Sequence, residues 1–265
     1  MPKTTVLLFG LLLFGLLFGV IVHASNRPEN NGFDLTDSLV PIDEITLGGP
    51  PRDGIPSIDQ PVFVLSREAN FLNDDDRVLG LEHNGEVRAY PVRILNWHEV
   101  VNDRIGDGSV AVTYCPLCGS GVAFDANDGA AKRTFGVSGL LYNSDVLLYD
   151  RETESLWSQL MLRAISGPAK GSYLKALPLQ HTSWQAWREQ HPDTLVLSTD
   201  TGFTRDYDRS PYDGYAQSER LYFSVSAQSQ RYHPKEQVLG LEVNGQFKAY
   251  PFAELARMAG NTLHD

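Results

Sequence analysis

The sequence predicts an α+β fold that is mainly β, in which duplicated β-hairpin-plus-helix units flank a central region with a Cys-x-x-Cys turn. Three observations predict it. A segment of 14 residues occurs twice, short apolar runs bounded by turn residues outnumber helical patterns, and the only two cysteines stand between two such runs. Short strands separated by turn signals are typical of β-rich domains.

The repeated segment covers Val78–Pro91 and Val238–Pro251, and 10 of its 14 positions are identical. In each copy Asn-Gly separates two apolar runs, which is the strongest short-range signal for a hairpin with a primed turn. A proline ends each copy and suits the first turn of a helix, so helices are predicted over residues 92–101 and 252–259. Each copy therefore predicts a β-hairpin that leads into a short helix.

The rest of the chain is organised around this repeat. Residues 25–61 are rich in proline and glycine and predict a tether and lead-in. Residues 62–265 predict a single β-rich domain that contains the repeat units 77–103 and 237–263. The second unit stops before a strand that would match the strand after the first unit, which predicts that the chain is truncated at its C-terminus.

Residues 1–24 predict a signal peptide or an N-terminal membrane anchor. Lys3 precedes Val6–Val22, a run of 17 residues without a charged side chain, and small or aliphatic residues follow where a signal peptidase would cleave. Such a run spans about 26 Å as a helix, which is short for a bilayer. Both interpretations predict an extracytoplasmic location, periplasmic or at the cell surface, and they make the membrane a partner through the N-terminal segment.

The net charge of −11 argues against nucleic acid as a partner, because such a surface repels phosphate and no stripe of Lys or Arg offsets it. Protein partners are left open by the sequence. It holds no glycine-rich phosphate loop, no Gly-x-Ser-x-Gly elbow and no His-Glu-x-x-His pair. Nucleotide and hydrolase chemistry therefore lack support, and whether the protein is an enzyme stays open.

The two cysteines lie in Cys-Pro-Leu-Cys-Gly at residues 115–119, named the cysteine knuckle below. This sequence between two strands is typical of rubredoxins and zinc ribbons, where the glycine lets backbone amides approach the sulfurs. Thiolates of Cys115 and Cys118 favour zinc or copper over calcium or magnesium. The sequence therefore predicts binding of a thiophilic metal, with zinc and copper both open.

Two other functions fit the same pair of cysteines. A thiol–disulfide redox protein needs an activated first sulfur, although the glycines after Cys118 argue against the helix start that thioredoxin-type activation uses. A structural or interaction module would use the pair as a disulfide staple, which is natural in an oxidising compartment. Haem attachment is excluded, because Gly119 stands where c-type sites need histidine.

His98 is the first candidate for a third metal ligand, because it lies in the repeat copy that leads into the cysteine knuckle. The alternative is a helix histidine bonded to a nearby carbonyl. Tyr142, Asn143 and Asp145 form a polar stretch that fits an active-site loop or, as we prefer, the turn before a strand.

Four longer motifs resemble the domain-of-unknown-function 3179 family. They are Ala111–Ser120, Phe135–Asp145, Tyr149–Gln159 and His191–Gly202. The resemblance covers about residues 35–260 and implies an exported or membrane-associated prokaryotic protein whose relatives often continue further than this chain. The family has no established activity, so the resemblance implies no reaction. It adds Trp157 and Gln159, which match the family pattern, to the candidate site residues.

Overall fold

The structure is a computed structural model and describes residues 30–128 and 131–258 of the chain. Runs rich in leucine, β-branched and aromatic residues form short strands there, because such side chains pack well on a pleated surface. In this part of the chain no α-helix exceeds seven residues. The predicted mainly β fold class is therefore confirmed.

The strands are, in chain order, β1 (Ile45–Leu47), β2 (Phe63–Leu65), β3 (Arg77–His83), β4 (Glu86–Pro91), β5 (Val100–Ile105), β6 (Gly108–Cys115), β7 (Ser120–Asp125), β8 (Asn127–Asp128), β9 (Ala131–Lys132), β10 (Phe135–Tyr142), β11 (Asp145–Asp150), β12 (Leu156–Ser158), β13 (Arg163–Ser166), β14 (Lys175–Leu177), β15 (Leu179–Ser183), β16 (Leu195–Leu197), β17 (Val238–Val243) and β18 (Gln246–Pro251). The α-helices are α1 (Val92–His98), α2 (Trp184–Gln190) and α3 (Phe252–Leu255), and short 3₁₀ turns cover Ile42–Glu44 and Ser66–Glu68.

Three sheets contain most of these strands. The first sheet has the order β1-β10-β11-β12-β13, the central sheet has the order β14-β7-β6-β5, and the third sheet has the order β15-β3-β4-β16-β2. Strands β4 and β16 are parallel. Several pairs of consecutive strands, such as β3–β4, β6–β7 and β10–β11, are antiparallel hairpins. Such hairpins need only tight turns between their strands.

The central sheet is buried on both faces, because β6 contributes to two hydrophobic cores. Val110, Val112 and Tyr114 pack into a core shared with the third sheet and α1. Ala111 and Cys115 pack into a second core, shared with the first sheet. Successive side chains of a strand point to opposite faces. This alternation places Cys115, the last residue of β6, on the side of the first sheet.

The hairpin β3–β4 turns at Asn84 and Gly85, and both residues have the positive φ that a primed turn requires. Helix α1 follows and ends at His98, before the predicted end at residue 101. Glu99 adopts a left-handed backbone conformation with φ 59°, which stops the helix. The β-branched residues after it, Val100 and Val101, pair with β6 instead, so the predicted helix was too long.

The hairpin β17–β18 has the same kind of Asn-Gly turn, and α3 follows it. In the described part of the chain it pairs with no further strand, whereas β3 and β4 have β15 and β16 as outer neighbours. Leu79 and Leu81 of β3 are fully buried, but Leu239 and Leu241 of β17 are exposed. The similar sequences thus have different surroundings.

Gly80 in β3 allows close packing of α2 on the third sheet, because a Cβ there would collide with the Trp187 ring. The same position in β17, Gly240, has open space around a Cβ. We expect Gly80→Ala to lower the free energy of unfolding by about 1–3 kcal/mol through overpacking. We expect Gly240→Ala to change it by less than about 0.5 kcal/mol, as at a surface site. Urea unfolding of both variants measures this, and equal losses would contradict the packing described.

Two sequence predictions fall outside the described residues. They are the signal peptide or anchor (residues 1–24) and the end of the second repeat unit (residues 259–263). Among residues 30–128 and 131–258, no helix is long and apolar enough to cross a bilayer. The prediction that the membrane is a partner of this chain is therefore wrong as far as the structure reaches, and we correct it.

Candidate metal centre

The cysteine knuckle is the turn between β6 and β7. Cys115 pairs with Ser120 across this turn, and the Gly119 amide donates to the Cys115 carbonyl at 2.8 Å. Gly119 has φ +68°, a left-handed conformation that glycine adopts without steric strain. The structure thus confirms that the two cysteines lie close together at one tight bend between strands. Both are free thiols, with Cys115 buried and Cys118 exposed.

Asp145 supplies a third donor atom beside the two sulfurs. One of its carboxylate oxygens and the two Sγ atoms all lie within 4.8 Å of one another, and Cys118 Sγ is 3.4 Å from Asp145 Oδ1. The Leu160 amide donates to Asp145 Oδ2 at 3.2 Å and so fixes the carboxylate. Within the described ranges this is the one group of three or more His, Cys, Asp or Glu side chains with such spacing.

The pairing of β10 with β11 brings Asp145 to the cysteines. The turn between these strands consists of Asn143 and Ser144, both with positive φ, and Asp145 is the first residue of β11. The Ser144 carbonyl lies 3.7 Å from Cys115 Sγ, so the whole turn packs on the cysteine knuckle. Since 27 positions separate Cys118 from Asp145, spacing along the chain gives no signal for this third donor.

His98 is not part of this group of donors. Its side chain is fully buried, Nδ1 lies 2.7 Å from the Pro56 carbonyl, and Nε2 lies 2.7 Å from the Tyr207 hydroxyl. Both ring nitrogens therefore have protein partners, and one of these partners is a carbonyl. The structure brings Asp145, and not His98, to the sulfurs.

Tyr142 and Asn143 belong to the turn that carries Asp145. Tyr142 ends β10 and is paired with Asp145. Asn143 Nδ2 donates to Glu44 Oε2 at 3.1 Å, and its Oδ1 accepts from the Ser226 amide at 2.7 Å. The polar stretch thus forms the turn before a strand and ties it to two other parts of the chain.

Trp157 and Gln159 lie on β12 and just after it. Trp157 is buried in the core that contains Cys115, and its Nε1 donates to Asp150 Oδ2 at 2.8 Å. Gln159 is fully buried and its Nε2 donates to Thr113 Oγ1 at 2.9 Å, on the strand that carries Cys115. Both side chains therefore support the strands around the centre and donate no atom to the group of three.

Glu99 is a candidate that the sequence analysis missed. Glu99 is only 5% exposed, and its Oε1 accepts a hydrogen bond from the Tyr212 hydroxyl at 3.2 Å. Burial, together with the negative charge of Asp145, raises the pKa of Glu99 to about 8. A glutamate at the end of a predicted helix looks like an ordinary surface residue, so only the fold identifies it.

Most of the acidic groups at the candidate metal centre are buried from solvent. Burial raises the pKa of the Cys115 thiol, and it raises the pKa of the Asp145 carboxyl to about 6. In the described part of the chain, no basic side chain is hydrogen-bonded or ion-paired with Cys115, Cys118, Asp145 or Glu99. Acids placed together in this way either keep their protons or hold a cation. Two sulfurs and one carboxylate oxygen are donors that suit a zinc ion.

We expect the metal-free protein to lose stability as the pH rises from about 5 to about 8. Glu99 keeps its proton up to about pH 8 in the folded state, but titrates near its ordinary pKa of 4.5 when unfolded. The folded state therefore binds more protons in this window, so stability is full below it and falls through it. The loss due to Glu99 is on the order of 4 kcal/mol.

Glu99→Gln is the control for this pH dependence, because it keeps a neutral side chain of the same shape. Urea unfolding with a chelator present should show a flatter decline for this variant, above all between about pH 6 and pH 8, where Asp145 has already titrated. An equally steep decline in the variant would show that Glu99 is not the group responsible.

The chain is thus a mainly β protein in which two cysteines at one turn of the central sheet lie beside an aspartate of the first sheet. A family model described as "Protein of unknown function (DUF3179)" matches residues 52–264, and the chain therefore belongs to this family. The resemblance seen in the sequence is thereby confirmed. No curated protein and no solved structure matches the chain.

Proposed function

We propose that this protein binds a thiophilic metal ion through Cys115 Sγ, Cys118 Sγ and the Asp145 carboxylate. The observation that supports the proposal is the approach of these three donor atoms to within 4.8 Å of one another. Loss of three protons would give the group a charge of −3, and a divalent cation compensates most of it. A bound cation would therefore also compensate the negative charges at Cys115 and Asp145, whose pKa values burial raises.

Zinc is the metal that the donor set favours. Zinc accepts sulfur and carboxylate oxygen in one tetrahedral site, whereas Cu(I) prefers thiolate and thioether sulfur throughout. With Asp145 in place of His98 as the third ligand, the donor set suits zinc better than copper. Three protein ligands also leave one tetrahedral position for water or another small ligand, which is typical of catalytic rather than structural zinc sites.

The two sulfurs have different surroundings, and this bears on metal loading. Cys118 is exposed, so a metal ion from solvent would bind this sulfur first. Cys115 lies in the core and would supply the second sulfur ligand from the interior side. Because thiols must lose their protons to bind, loading releases protons and weakens at low pH. A buried first thiol with a raised pKa is the reverse of what a thioredoxin-type redox pair needs.

Export of the chain, which the N-terminal sequence suggests, forms part of the proposal. In an oxidising compartment a free Cys-x-x-Cys pair is exposed to disulfide formation, and a bound metal protects both thiolates. The metal site and the disulfide staple are thus competing states of the same two cysteines.

The experiment is metal analysis of the purified full chain by plasma mass spectrometry, combined with a thiol count. We expect about one equivalent of zinc and two thiols that react only after chelation, as for zinc-bound thiolates. Cys118→Ser should lose the zinc. A metal-free protein with a disulfide between Cys115 and Cys118, and no zinc uptake after reduction, would contradict the proposal and favour the staple.

The two hairpins suggest a duplication, and we include it here as a proposal. The identity of Val78–Pro91 and Val238–Pro251 at 10 of 14 positions supports a common origin of the units 77–103 and 237–263.

A further inference from the structure

A cavity of about 160 Å³ lies beside the candidate metal centre. Its wall is made largely of apolar side chains, and Glu99 is the one charged residue that lines it. We propose that this cavity binds a small neutral molecule with an apolar body and a single hydrogen-bonding head group. The proposal goes beyond metal binding, because none of the three proposed metal ligands lines the cavity.

Segments from five parts of the chain build the wall, and one of them is the end of α1 with Glu99. Leu141 and Val146 come from β10 and β11, Leu117 comes from the cysteine knuckle, Ile55 comes from the lead-in, and Phe223 comes from the segment after β16. Leu117 stands between the two cysteines and Val146 follows Asp145, so the cavity adjoins the metal centre. A ligand in it would lie beside the metal.

Hydrogen bonds hold the outer part of this wall in place. The Ser144 hydroxyl donates to the Phe223 carbonyl at 3.0 Å, and the Ser226 amide donates to Asn143 Oδ1 at 2.7 Å. Tyr212, which also lines the cavity, is tied to Glu99 through its hydroxyl. These bonds join the segment after β16 to the β10–β11 turn and to the end of α1. Contacts between distant segments therefore hold parts of the cavity wall in place, which is typical of a preformed site.

The lining determines the ligand class. Apolar and aromatic walls favour an apolar body, because a void leaves the surrounding atoms without packing partners. An ammonium or a carboxylate would lose its hydration there, and Glu99 is the one charged side chain in the wall. An anion would in addition meet the acidic groups of the metal centre. A hydroxyl or carbonyl needs only one or two hydrogen bonds, and the Glu99 carboxyl can supply them.

The volume limits the ligand to about one ring with a short substituent, since an apolar cavity of about 150 Å³ accommodates benzene. Benzyl alcohol is a suitable probe, because it combines such a ring with one neutral head group. Toluene is the matched probe without the head group, and benzoate and benzylamine carry an anionic and a cationic head group on the same ring.

The test is titration of the full chain with these four probes by isothermal calorimetry, once with zinc and once after chelation. We expect saturable binding of benzyl alcohol to one site and at least about tenfold weaker binding of toluene, which lacks the hydrogen bond. We expect no binding of benzoate or benzylamine, because their charged groups would lose their hydration. Glu99→Leu should remove the preference for benzyl alcohol over toluene. Leu141→Trp, which fills the cavity, should abolish binding of all probes.

Four results would overturn this proposal: no saturable binding of benzyl alcohol to the folded protein, unchanged binding in Leu141→Trp, an unchanged preference for benzyl alcohol over toluene in Glu99→Leu, or preference for a charged probe. Circular dichroism shows whether Leu141→Trp is folded, and if it is not, the Glu99→Leu comparison decides alone. Binding of the probes to a protein that takes up no zinc would remove the metal proposal only. Zinc uptake without probe binding would remove the cavity proposal only.

Discussion

Asp145→Asn is expected to weaken zinc binding by about 100-fold or more, because it neutralises a proposed direct ligand. Substitution of residues that only contact the ligands already costs about 10–100-fold in metal affinity. The substitution keeps the shape of the side chain, and the amide oxygen can still accept from Leu160. What it removes is the negative charge next to Cys118 Sγ, 3.4 Å away. Competition with a chromophoric chelator near pH 7.5 measures the affinity, and Cys115→Ser and Cys118→Ser should show losses at least as large.

His98→Gln is the matched control for this series. It changes the residue that the sequence favoured as third ligand, and it keeps hydrogen-bonding atoms near Pro56 and Tyr207. Its zinc affinity should stay within about twofold of the original, although its stability should fall, because buried polar partners are disturbed. A large loss of affinity in His98→Gln with little change in Asp145→Asn would reverse the assignment of the third ligand.

Asp103→Leu is expected to lower the free energy of unfolding by about 3 kcal/mol, since it removes the buried one of the two carboxylates paired with Arg88 and leaves the more exposed Glu86. Asp103 is 5% exposed and accepts from Arg88 Nη1 with both oxygens at 2.6 Å. It also accepts from the Tyr90 hydroxyl at 2.5 Å and from the Arg104 amide at 2.7 Å. These bonds join β4 of the third sheet to β5 of the central sheet. Urea unfolding measures the loss.

Two further variants separate the buried charge from other effects of Asp103→Leu. Adding Arg88→Met should restore much of the stability, because replacing both members of a buried ion pair by apolar residues is often close to neutral. Asp74→Ala breaks an exposed pair of similar length, 2.9 Å to Arg188, and should lower stability by less than about 1 kcal/mol. Equal losses for Asp74→Ala and Asp103→Leu would mean that burial does not determine the effect.

Local chemistry explains what the sequence predicted correctly about this protein. Asn84 and Gly85 adopt positive φ easily, so the hairpin of β3 and β4 follows from two adjacent residues. The proline and glycine of the cysteine knuckle likewise place Cys115 and Cys118 at one bend, whatever packs around it. β-Branched and aromatic runs decide the mainly β class in the same way. The motifs that resemble the family are local as well, and the family model confirms them.

The third donor and the cavity could not be predicted from the sequence, because both are formed by packing between distant segments. Asp145 lies 27 positions from Cys118 and reaches it only because β10 and β11 pair in the sheet that faces Cys115. His98 and Glu99 are neighbours, yet the left-handed conformation of Glu99 ends α1 between them, and Tyr207 and Tyr212 then engage them separately. Contacts of this kind depend on the position of whole sheets and not on residue spacing. Local sequence was therefore enough to predict the mainly β class and the two adjacent cysteines, whereas the third donor and the cavity depend on how the sheets pack against each other.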